Sequence, residues 1–328
     1  MTDAGTGIPT SVVVAARRAL GPVGVLLPVT TPVPTVDALR DGVRRLEAAG
    51  YRAAWVNEVV GGGKDALVQL ALLLSATQWM AFGTSIANIW ARPPQTAHGA
   101  ALLLAQAFPD RFVLGLGVGY PPQAASVGRE FGSAVATMRD YLAQLAPERV
   151  PYPFIVGATG PSMLALAGEA ADGALPIMVP PAYTARARQQ LGPDKLLVVA
   201  VPLVADADPV RARATAKQTV AGLLSGPGTY PAMLAGLGYT QQDIGDVSDH
   251  LVDAVVGHGD TSISTAKVRE HLDAGADHVM VMSSGTDFAD GIAQLQQLAP
   301  ALVPLTQGSR PLNSRRSNRC LTATRDRI

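Results

Sequence analysis

The sequence predicts an α/β protein of the (β/α)8 TIM barrel class, and three observations carry that prediction. Eight short apolar runs recur along the chain, and between them the apolar residues return every three or four positions, as on helices. Two distant stretches, LEAAGYRAAWV (46–56) and LDAGADHVMV (272–281), repeat one unit: a helix end, a glycine, then a strand. Ala, Gly, Leu and Val dominate while aromatics make up 5%, as suits many short buried strands covered by helices. A doubly wound open sheet is the alternative arrangement of the same elements.

The first run, PVGVLLP (22–28), leads into TVDALRDGVRRLEAAG (35–50). There Thr35 and Asp37 suit a helix start, and Gly50 suits the left-handed turn that ends it. The second run is RAAWVNE (52–58). Residues 66–91 then carry no charge, but Gln69, Ser75, Thr77, Gln78, Thr84, Ser85 and Asn88 interrupt them. They divide into a helix-like and a strand-like half, so no membrane span is expected. The third run ends that stretch at 80–88, the fourth is RFVLGLGVG (111–119), and the fifth is PFIVGAT (153–159), followed by a helix over 162–171. The sixth, GALPIMV, covers 173–179 and the seventh, KLLVVAVPLVA, covers 195–205. The eighth, HVMVMSS (278–284), follows a helical pattern at 265–276 that closes at Gly275.

The segment between the seventh and eighth runs is too long for one crossover helix. Extra helices are expected at about 206–260; at the C-terminal ends of the strands they would form a wall or lid over an active site. One domain is expected over 1–305, with a disordered or electrostatic Arg-rich tail at 306–328. Residues 309–328 hold six Arg and one Asp, leaving a mildly acidic body, so nucleic acid is not expected as a partner. The single cysteine, Cys320, lies in that tail, and the N-terminus lacks a secretory signal pattern. Both features fit a cytoplasmic protein.

Chemistry concentrates at the ends of the strand runs. In the fourth run Gly115, Gly117 and Gly119 alternate with Leu116 and Val118, leaving one strand face without side chains. That face either opens a slot for a flat ring or allows close packing. Gly83, Ser85 and Ala87 form a similar small-residue face in the third run, before the amide of Asn88. Asn57 and Glu58 end the second run; a desolvated acid there is a candidate for proton transfer, or one half of an ion pair with a nearby loop.

In the fifth run, Gly157-Ala158-Thr159-Gly160 passes into a helix with Pro161 at its start. Free backbone amides and a helix N-terminus together suit an anion, here a cofactor phosphate, with the ring on the Gly-alternating strand. The G-x-G-x-x-G dinucleotide pattern fails at Tyr120 and Pro122, and no G-x-S-x-G elbow is present. The five histidines, at 98, 250, 258, 271 and 278, lack ligand spacing, so no metal is expected, and His271 and His278 read as structural.

Taken together, GYRAAWVNE, FGTSIANIWARPPQTA, PDRFVLGLGVGYP, PFIVGATGP with GEAADGAL, and DAGADHVMVM resemble the bacterial luciferase-like superfamily, in its branch that uses coenzyme F420. The resemblance spans nearly all of 20–303 and implies an oxidoreductase barrel whose mouth binds the coenzyme. It implies a non-proline cis peptide at Ser85–Ile86 against the ring face. Ring-edge and side-chain contacts fall on Asn88 and on Gly117, Val118 and Gly119, and the phosphate loop on Gly157, Ala158, Thr159 and Gly160. Asn57 and Ala87 complete the expected coenzyme contacts, with Glu58 or Tyr120 as the proton donor. Relatives that oxidise sugar phosphates carry Asp-His at the end of the second strand and a Glu after the Gly-rich strand. Here Asn57-Glu58 and Tyr120 stand instead, and no basic residues follow the sixth strand until Arg186, which argues against a sugar phosphate.

The expected function is therefore F420-dependent hydride transfer to or from a small organic substrate. The alternatives are an FMN-dependent luciferase-like monooxygenase and a non-catalytic coenzyme-binding protein. Barrels of this kind often pair through outer helices, so a homodimer is a further expectation.

Overall fold

A computed structural model describes residues 11–28, 33–145, 150–226 and 228–306. The expected tail lies outside the described residues, apart from its first position.

The elements run α1 (Ser11–Leu20), β1 (Val23–Leu26), α2 (Val36–Ala48), β2 (Ala53–Val56), α3 (Ala66–Ala76), β3 (Ala81–Thr84) and β4 (Ala87–Asn88). Next come α4 (Pro94–Ala107), β5 (Phe112–Gly117), α5 (Pro121–Ala125), α6 (Ala134–Leu145), β6 (Phe154–Val156), α7 (Pro161–Ala170) and β7 (Gly173–Ala174). The last part holds α8 (Pro181–Leu191), β8 (Leu196–Ala205), α9 (Pro209–Ser225), α10 (Tyr230–Gly236), α11 (Gln241–Gly245) and α12 (Asp249–Val255). It ends with β9 (Gly257–Gly259), α13 (Thr261–Asp273), β10 (His278–Met282), α14 (Phe288–Leu302) and a 3-10 turn at Val303–Thr306.

Every strand pairing is parallel, in the order β10-β1-β2-β3-β5-β6-β7-β8, and the β8–β10 pairing closes the ring into an eight-stranded barrel. The expected barrel is therefore present. β4 continues the third strand beyond a cis peptide at Ser85–Ile86 and pairs with β5 through Asn88↔Gly117. The sixth strand is shorter than its apolar run: Pro176 has no amide to donate, and the ladder resumes only as a bridge at Ile177↔Ala200. Thr35 caps α2 by accepting from the Ala38 amide, and Gly50 and Gly275 take positive φ, as expected.

Two hydrophobic layers result. One lies between the sheet and the outer helices; the other fills the barrel with Leu26, Ala53, Trp55, Ala81, Val113, Ile155, Val198 and Met280. α1 was not anticipated. Its Val13, Ala16 and Leu20 pack against the interior layer, so the barrel is plugged at its N-terminal end. Asp277 ties this end together, pairing with Arg17 at 3.0 Å and Arg188 at 2.6 Å and accepting from the Leu197 amide at 2.8 Å. The insertion between β8 and β10 contains α9 to α12 and a further short strand, β9, which pairs with the outer end of β8. No helix among the described residues is long and apolar enough to cross a membrane.

Candidate functional site

With one end plugged, function falls to the C-terminal mouth. There a cavity of about 760 Å³ opens between the strand ends and α10 of the insertion, within the usual size range of ligand sites. Asn57, Glu58, Ser85, Ile86, Asn88, Gly117, Val118, Gly119, Tyr120, Gly157, Thr159 and Gly160 all line it. Two of the expected residues do not. Ala87 and Ala158 are 1% exposed and point into the layer beneath the helices, because alternate strand residues face opposite sides.

The glycine faces are only partly open. A Cβ on Gly115 would collide with the Thr84 carbonyl, and the Thr84 hydroxyl exchanges hydrogen bonds with the Gly115 backbone. The room beside Gly83 is filled by the Trp55 indole. Close packing therefore explains these two glycines. Gly117 differs: it reaches the cavity, and a Cβ there would collide with the side chain of Ile86, in the cis bulge. The bulge and the end of β5 thus meet over a single glycine.

Glu58 stands in a buried ion pair. It is 5% exposed. Its carboxylate accepts from the Arg92 guanidinium in a bidentate pair, from the Ala66 amide at 3.0 Å and from the Asn88 amide at 2.8 Å. All its partners are donors, so both of its oxygens are engaged as acceptors. The ion-pair alternative describes it correctly. Arg92 also pairs with Asp65 at 2.7 Å, the residue that caps α3, and its carbonyl accepts from the Tyr141 hydroxyl. Burial by itself would lower the Arg92 pKa, but the hydrogen bonds and charges of Glu58 and Asp65 outweigh it and raise the pKa. One buried ion cluster therefore pins the β2–α3 loop, the bulge and the start of α4.

Sequence reasoning missed Arg92, because its partner Glu58 lies 34 residues earlier. It also missed Lys64, which donates to the Asn57 side chain at 3.0 Å and whose pKa burial lowers, with Glu58 opposing. Gln123 accepts from the Asn88 side chain and from the Tyr120 amide, fixing the turn after β5. Tyr230, the first residue of α10, donates to the Ile177 carbonyl at 2.9 Å, and burial holds its hydroxyl well above the ordinary phenol range.

In the expected phosphate loop, Gly157 and Ala158 are already paired: their amides donate to the Leu116 and Leu175 carbonyls. The unpaired donors lie further on. Among the described residues, the amides of Thr159, Gly160, Ser162 and Met163 donate to no protein acceptor, and all four residues line the cavity. One more polar group is left over, the Ser85 hydroxyl, which is buried, borders the cavity and has no partner. No cluster of three or more potential metal ligands occurs among the described residues.

Known proteins resemble this chain to different depths. Residues 20–146 match the family model described as luciferase-like monooxygenase. Over 177 residues the chain is 29% identical to a Mycobacterium tuberculosis protein named as a coenzyme F420-dependent oxidoreductase, covering 42% of this chain and 50% of that one. The match thus spans about half the length of that relative. Over 285 residues it is 25% identical to 5,10-methylenetetrahydromethanopterin reductase of Methanolobus tindarius, covering 72% of this chain and 87% of the reductase.

Among solved structures, the coenzyme F420-dependent tetrahydromethanopterin reductase of Methanopyrus kandleri superposes with a TM-score of 0.66 at 19% identity, covering 87% of this chain and 99% of that one. The oxygenating constituent of 3,6-diketocamphane monooxygenase of Pseudomonas putida, in complex with FMN, gives 0.63 at 15% identity, covering 87% and 98%. At such identities the likeness is one of fold.

Proposed function

Proceeding from a barrel whose residues 20–146 match the luciferase-like monooxygenase family model, we propose that this protein is a coenzyme F420-dependent oxidoreductase acting on a small organic substrate. The observation that carries the reading is the convergence, in one cavity, of the cis bulge, the open edge at Gly117–Gly119 and the unpaired amides of 159–163. These groups fit the coenzyme. The unpartnered Ser85 hydroxyl offers a hydrogen bond where a ring would lie, and backbone amides at the start of α7 suit a phosphate.

When bound, F420 supplies or accepts a hydride at one ring carbon. Ser85 and Ile86 would support the ring face, Asn88 and Gly117–Gly119 its edge, and Thr159 to Met163 its phosphate. Tyr120, whose side chain borders the cavity and is 41% exposed, would move the proton, since Glu58 is engaged by Arg92. The ion cluster around Glu58 would hold the loops in register with the ring.

The FMN-bound structural neighbour supports the alternative reading as a flavin monooxygenase. Absorbance and fluorescence titration of the purified protein with F420 and with FMN separates the two. Saturable binding of F420 with none of FMN is expected, and a preparation that purifies yellow with bound flavin would overturn the assignment. Binding of F420 without turnover of any carbonyl or enone compound would point to a coenzyme carrier.

A further inference from the structure

The same cavity has a second wall with a different chemistry. Phe131, Val135, Met163, Ile177, Ala232 and Met233 also line it, contributed by the loop before α6, by α6, α7 and α10, and by the segment after β7. Among the described residues no Lys, Arg or His lines the cavity, and the one acid among them, Glu58, is already neutralised by Arg92. The two cations paired with cavity-lining residues are engaged, Arg92 by Glu58 and Asp65 and Lys64 by the Asn57 side chain. The unpaired amides of 159–163 form one cluster at the start of α7.

We infer that the substrate taken beside the coenzyme is an uncharged, largely apolar compound, with neither a carboxylate nor a phosphate. This rests on the coenzyme reading, because the amide cluster is there assigned to the coenzyme's own phosphate. A charged substrate would then leave water for a wall that offers no counter-ion, a transfer that costs far more than that of a neutral group of similar shape. An apolar one gains by covering the Met and Phe side chains.

Two near-isosteric probes, acetylnaphthalene and naphthoate, test this by calorimetric titration of the protein saturated with F420, or of the protein alone should F420 not bind. The ketone is expected to bind at least about tenfold more tightly than the carboxylate. Val135→Arg, checked for native melting, is expected to reverse the order by adding the missing counter-ion. Equal or tighter binding of naphthoate to the unsubstituted protein, or no binding of the ketone below about 1 mM, overturns the inference. The F420 titration is read separately. A protein that binds F420 but prefers naphthoate keeps its coenzyme and loses this substrate class, whereas one that binds the ketone and not F420 does the reverse.

Discussion

Glu58 accepts from Arg92 and from two main-chain amides on different elements, Ala66 at the start of α3 and Asn88 in β4. Removing its charge leaves Arg92, itself buried, facing only Asp65. Breaking one side of a buried pair costs about 3–5 kcal/mol, so Glu58→Gln is expected to lower the unfolding free energy by that order and to weaken F420 binding in the same variant. Urea titration and coenzyme titration check this together. Slowed turnover with unchanged stability and affinity would return Glu58 to the role of proton donor. Tyr120→Phe is expected to behave oppositely: its hydroxyl is not needed for folding, so kcat falls while melting and coenzyme affinity stay put, as steady-state kinetics beside a melting curve will read.

At the scale of elements, the third strand with its bulge and the fourth strand of the barrel interlock through glycines that have different tolerances. Gly115 faces the Thr84 carbonyl, which is backbone and cannot step aside, whereas Gly117 faces the Ile86 side chain, which can turn. Gly115→Ala is therefore expected to destabilise the barrel by a few kcal/mol, the range of overpacked cores. Gly117→Ala should leave folding closer to intact and lower F420 affinity by displacing Ile86 from the cavity. Denaturant midpoints and coenzyme titrations of the two variants test this, and equal effects on both readouts would remove the distinction.

Across the whole molecule, two buried histidines link stability to pH. His278 is fully enclosed inside the sheet. It accepts at Nε2 from the Trp55 indole at 3.0 Å and pairs through Nδ1 with the Gly21 carbonyl at 2.6 Å, the neutral ring meeting both needs. Burial depresses its pKa from 6.5 to about 4, and that of His271, bonded to Thr184, to about 3. Above pH 6.5 neither state carries the extra proton and the stability is fully present. As pH falls from 6.5 toward 4 the unfolded chain takes up protons that the folded one refuses, so stability declines. At about 1.4 kcal/mol per unit the loss is on the order of 3 kcal/mol for His278 alone. Carboxylates such as Asp243, held down at about 2 by Thr240 and Ser248, add their loss only below 3.8, so the two windows separate. Urea midpoints measured between pH 7.5 and pH 4 should fall steadily, and a flat profile there would show that the histidines are not buried in solution.

What the sequence determined by itself was everything written in short-range pattern. The eight strand runs and the glycine-closed helices at Gly50 and Gly275 follow from periodicity and turn chemistry, which are local, whereas most of the residues expected at the mouth came from the family resemblance. α1 escaped notice because a short apolar helix is indistinguishable by pattern from a strand, and β9, reading Gly-His-Gly, carries no strand signal at all. Only the tertiary structure decided which glycines are open and which are filled, that Glu58 belongs to Arg92, and that the free amides begin at Thr159 rather than Gly157. Each of these depends on which group from a distant part of the chain arrives first at a donor, an acceptor or an empty space. Closing the barrel sets that competition, and no window of neighbouring residues records its outcome.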